Sequence, residues 1–103
     1  MMIISTESIP GKDFEAISFV QGSVVWSKNI GRDIMAGFKN IVGGEIKSYT
    51  DMLTEAREVS LSRMKENAKK LNADAVIGIR FATSSVMAGA SELIAYGTAI
   101  KFK

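Results

Sequence analysis

Residues 50–71, TDMLTEAREVSLSRMKENAKKL, decide the fold. Met52, Leu53, Ala56, Val59, Ser60, Met64, Ala68 and Leu71 recur at i, i+3 and i+4, which sets one apolar stripe along a helix. Acids crowd its start (Asp51, Glu55, Glu58) and bases its end (Arg63, Lys65, Lys69, Lys70), as the helix macrodipole favours. Ser48 and Asp51 have the spacing of a capping box, with Asp in the place of Glu. Asn72 suits a left-handed stop. At the rise of an α-helix this element is about 33 Å long, so it needs a long partner surface.

That surface is a sheet. Residues 14–26, 74–86 and 92–102 read as strands, and Met87-Ala88-Gly89-Ala90 suits the hairpin between the last two. Residues 1–13, with the only proline in Ile9-Pro10-Gly11, read as an extended arm ending in a turn. Between Ser27 and Ser48 the apolar set Ile30, Ile34, Met35, Phe38, Ile41 and Val42 predicts one short helix between glycine-rich ends. The chain is therefore α+β. At 103 residues it forms one domain, 1–103.

Strict alternation along the strands separates two faces. One is bulky: Ile17 and Phe19; Ile77, Ile79 and Phe81; Ile94, Tyr96, Ile100 and Phe102. The other is small: Ala16, Ser18 and Gly22; Gly78 and Ala82; Ala95, Gly97 and Ala99. The small face admits the long helix closely, and the bulky face needs a different cover. Burying a large apolar side chain contributes about 1.5–3 kcal/mol. Nine left in water would forfeit an amount comparable to a domain's whole net stability of about 5–15 kcal/mol. Either residues 27–48 fold over that face or a second copy does, and few residues are spare. Self-association through these nine residues is the expectation.

Composition excludes several classes of function. There is no Cys and no His, so thiol nucleophiles, His-based triads and the usual zinc or copper sites are out. Thirteen Lys and Arg against 11 Asp and Glu give a net charge of only +2, too little for an electrostatic nucleic-acid or membrane binder. No signal-like start and no run of about 18 apolar residues is present, and the cytoplasm is the expected compartment.

The remaining polar candidates are few. Gly43-Gly44-Glu45-Ile46-Lys47-Ser48 lacks the glycine spacing of a phosphate loop and reads as a turn into the helix. Glu45, Asp51, Glu55 and Glu58 could offer oxygens to a hard cation, although acids there also complement the helix dipole. Arg32, Asp33, Glu45 and Tyr49 could gather around a small polar cleft, and the glycines Gly43 and Gly44 permit close backbone approach. No reaction class attaches to these residues, which points to a non-enzymatic protein that binds an ion or small ligand between copies; the alternatives are a cation-binding module built on carboxylates and a small enzyme with an interfacial carboxylate. The cofactor is open, a metal ion being one candidate.

In chain order the sequence carries Gly22, Asn29, Arg32-Asp33, Ile41-Val42-Gly43-Gly44-Glu45, Tyr49, Glu55-Ala56-Arg57-Glu58, Met64, Asn72-Ala73-Asp74-Ala75-Val76-Ile77-Gly78 and Ala95-Tyr96-Gly97-Thr98-Ala99. Together, and nearly end to end, these resemble the YbjQ-like family. The resemblance implies a two-layer β-α-β-β subunit similar to the dodecin-like fold. Its antiparallel three-stranded sheet has order 1-3-2, with one long helix packed on it and the short helix before that. It also implies a ring-shaped homopentamer whose partner is itself. The property attached to the family is heavy-metal binding, and it transfers no catalytic residue. On this chain, without Cys or His, such a site would fall to carboxylates.

Overall fold

The computed structural model describes residues 1–27, 41–42 and 45–103, with the backbone alone described at 27, 41–42 and 45–49. In chain order the elements are β1 (Met2–Ile3), β2 (Phe14–Ser27), β3 (Ile41–Val42), β4 (Glu45–Ile46), α1 (Lys47–Lys70), β5 (Ala75–Met87) and β6 (Ala90–Phe102). The main sheet runs β1-β5-β6-β2, and β3 and β4 form a separate two-stranded pair.

This corrects the expected antiparallel three-stranded sheet. The sheet is four-stranded and mixed, because β1 pairs in parallel with β5, Met2 opposite Ala75 and Ile3 opposite Val76. The arm expected over residues 1–13 is thus partly a strand, and two residues are too few to show a period. β6 lies antiparallel to both β2 and β5. α1 is the one helix among the described residues. Most of the short helix expected before it falls outside them, and its last two residues, Ile41 and Val42, are a strand.

α1 starts at Lys47, three residues before the expected Thr50, so its first turn holds no acid. Ser48 lies inside the helix rather than at a cap, and Asp51, Glu55 and Glu58 sit beyond the turn where the dipole acts most strongly. The other end follows its signals. Lys69 and Lys70 occupy the last turn, and Asn72 takes φ 57°. The Asn72 N–H donates to the Lys69 carbonyl (3.0 Å) and that of Ala73 to the Ala68 carbonyl (3.2 Å). Those two bonds make a Schellman stop.

The helix covers the small face. Its buried stripe of Ala56, Ser60, Met64 and Ala68 meets Val20 and Gly22 of β2, Ala95 and Ala99 of β6 and Val76 of β5. Gly22 sets the approach, because a Cβ there would lie 2.2 Å from the Met64 nitrogen and 2.3 Å from the Ser60 oxygen. No side chain fits between strand and helix at that point.

Simple alternation fails at Gly78. Ile77 opposes Thr98 and Arg80 opposes Tyr96, so β5 spends three steps where β6 spends two. Gly78, at φ 64°, takes up the extra residue as a bulge. Beyond it the faces exchange. Ile79 joins the helix-side core, and Phe81 stands opposite Ala95 on that same side. A second shift at Ala16/Ser18 places Ala16 opposite Ile100, on the outer side. Ile79 and Phe81 therefore leave the expected bulky face, and Ala16 and Ala82 join it.

The outer face has a cover that neither expected alternative included. The N-terminal arm turns back over it, with Ile4 and Ile9 packed against Ala75, Ile77 and Ile100, beside Phe14 and Phe102. Backbone bonds hold the arm: Ile4 N–H to the Val76 carbonyl (3.0 Å), Gly78 N–H to Thr6 (2.8 Å) and Ile79 N–H to Ile4 (3.1 Å). The Arg80 guanidinium donates to the Ser5 carbonyl at 2.8 Å. This cover ends near Arg80.

Candidate functional site

The close approach at Gly22 brings polar side chains of α1 to the outer edge of β2. The Arg63 guanidinium donates to the Ser23 carbonyl (2.6 Å), and the Asn67 amide to the Gln21 carbonyl (2.7 Å). Around these bonds lies an open groove of about 400 Å³, lined by Gln21, Gly22, Ser23, Arg63, Glu66, Asn67 and Lys70. Toward the start of α1 a smaller cleft of about 200 Å³ is lined by Val24, Val25, Trp26, Met52, Glu55, Ala56 and Val59. It offers an apolar wall with one carboxylate.

Few of the expected polar site residues can be placed. Arg32, Asp33, Gly43 and Gly44 lie outside the described residues. Glu45 is in β4, opposite Val42, and Tyr49 is in the first turn of α1, both as backbone only. Asp51, Glu55 and Glu58 are exposed on α1. Among the described residues no three Asp or Glu side chains come together as a metal site. With no Cys or His in the chain, the described residues do not fit a heavy-metal centre.

The expected interface set divides. Ile77 (5% exposed) and Ile100 (0%) are buried within their own chain, and Phe102 is half-buried beside them. Phe19, at 61%, remains outside on the sheet face away from the helix, next to half-buried Tyr96, with ring centroids 6.1 Å apart. Ile94, half-buried, and Val25, exposed, extend that patch along β6 and β2. Ile17, the extra residue of the β2 irregularity, is 39% exposed. The roles of Arg63 and Asn67 were missed, since each reaches a strand 40 or more positions away.

Fold and surface together define an α+β domain with ligand-sized grooves along one sheet edge and an apolar patch on the sheet's far face that nothing among the described residues covers. A family model described as "Putative heavy-metal-binding", that of the YbjQ-like proteins, matches residues 1–103, and the chain belongs to this family. Uncharacterised UPF0145 proteins are similar along the whole chain. One from Colwellia psychrerythraea is 57% identical, over 100% of this chain and 99% of its own. One from Thermotoga maritima is 55% identical, over 100% and 98%, and one from Clostridium novyi 54%, over 98% of each. A solved structure from Pediococcus pentosaceus, a protein of unknown function in the DUF74 family, shares the fold at TM-score 0.70 and 17% identity. It covers 100% of this chain and 98% of that one. No helix among the described residues is long and apolar enough to cross a membrane.

Proposed function

We propose that the protein is a non-enzymatic homo-oligomer, pentameric as its family resemblance implies, that acts in the cytoplasm and binds an ion or small ligand where copies meet. The observation that carries this reading is the outer face: Phe19, Tyr96, Ile94 and Val25 lie beyond the N-terminal arm on the side away from α1, and nothing else among the described residues covers them.

The test is Phe19→Asp. Phe19 is mostly exposed, so the variant should fold as the parent does, judged by circular dichroism. On native mass spectrometry it should lose the five-chain assembly and fall to species of one or two chains, because a charge buried in a desolvated apolar patch costs several kcal/mol. Calorimetric titration with Mg²⁺ and Cd²⁺ separates the ligand question: heat from the parent assembly and none from the dissociated Phe19→Asp protein is the expected pattern. A Phe19→Asp protein that keeps the parent's mass overturns the interface. Equal heats from parent and variant place the ion within one chain.

A further inference from the structure

The two outer edges of the main sheet differ. On β2 the outward carbonyls of Gln21 and Ser23 are already taken by Asn67 and Arg63 of the same chain. On β5 the N-terminal arm covers the edge only as far as Ile79. Beyond it, residues 80–87 are exposed, and among the described residues nothing pairs with their outer side.

Residues 81–87, FATSSVM, contain no charge and no proline, the two usual means of keeping an edge strand from pairing. Alternation identifies the open backbone groups. Gln21 and Ser23 turn their carbonyls away from β6, so their partners Tyr96 and Ile94 bond toward β5, at Arg80 and Ala82. The N–H and C=O groups of Phe81, Thr83 and Ser85 therefore point outward.

We infer that this edge is a second assembly surface, and that its occupant is the same edge of another copy, in antiparallel pairing about a two-fold axis at Thr83. With side chains of α1 on two of the β2 carbonyls and none on the outward groups of Phe81, Thr83 and Ser85 among the described residues, the β5 edge is the less engaged of the two, and a two-fold contact is its isologous solution. In that register Thr83 faces Thr83, a favourable cross-strand pair, and Phe81 faces Ser85. No like charges meet, and about six backbone hydrogen bonds form. The inference rests on the oligomer reading above and extends it: heterologous contacts that cover the outer face build one ring, and two-fold β5 edges join two of them, so pentamers run as decamers.

The chain has no cysteine, so single-cysteine variants report the contact cleanly. Across the axis two Thr83 Cα atoms would lie about 5.5 Å apart, within disulfide reach. Thr83→Cys oxidised mildly in dilute solution should give a covalent dimer in near-complete yield, and Ser62→Cys, on exposed α1, should not. Thr83→Pro, which removes an outward N–H and no ladder bond, should halve the native mass. An assembly that dissociates with Phe19→Asp yet gives no Thr83→Cys dimer overturns the edge inference and leaves the face reading standing. A cross-link only in the doubly substituted Thr83→Cys, Gln21→Cys chain also overturns it, in favour of head-to-tail pairing with β2. A monomeric parent overturns both.

Discussion

Gly22→Ala is expected to lose about 3 kcal/mol or more of stability and to lower Tm by roughly 15 °C, from the addition of a single carbon. The new Cβ would lie 2.2 Å from the Met64 nitrogen, 2.3 Å from the Ser60 oxygen and 2.7 Å from the Arg63 carbonyl carbon. All three are backbone atoms in the middle of a 24-residue helix. No rotamer can relieve the clash, so α1 must lift from β2 as a body, opening contacts at Val20, Ala68 and Ala95 together. The same movement would pull Arg63 and Asn67 from the β2 carbonyls. Urea denaturation of the parent and Gly22→Ala at equal protein concentration checks this. An unchanged midpoint would mean that the helix does not sit where Gly22 places it.

Met64→Ala is expected to cost about 2–5 kcal/mol, by a different route. Met64 is 0% exposed and among the largest fully buried side chains, at the centre of the core between α1, β2, β5 and β6. Its removal leaves a cavity that its neighbours cannot fill, since Ala68, Ala95 and Ala99 are small and Val76 is branched and stiff. Met64→Leu nearly conserves the volume and should cost under about 1.5 kcal/mol. Equal losses for the two variants would point to the thioether rather than to packing.

These two residues also show what could be read beforehand. The stripe through Ala56, Ser60, Met64 and Ala68 keeps one face of a helix of about 3.6 residues per turn, and helix packing on the small face follows from it and from Gly22. The start of α1 was less legible, because Lys47, Ser48 and Tyr49 carry no apolar period. Alternation gave wrong faces for Ile79 and Phe81, because a bulge adds one residue without any change in composition. β1 was missed because Met2 and Ile3 form a strand only by pairing with β5, 73 positions away.

The candidate site was legible only in its chemistry. The absence of Cys and His removed whole classes of site, a conclusion that needs no geometry. The positions of Arg63 and Asn67 over the β2 edge depend on tertiary packing, and neighbouring residues carry no mark of it. The outer face was over-counted for a related reason. Ile4 and Ile9 read as isolated apolar residues in an arm, yet they bury Ile77 and Ile100.

Native mass spectrometry of the untagged protein across a dilution series decides whether other copies of this chain cover the outer sheet face. The expected result is a discrete assembly of five chains or its double, lost in Phe19→Asp. A monomer at every concentration, with Phe19 and Val25 left in water, would contradict it.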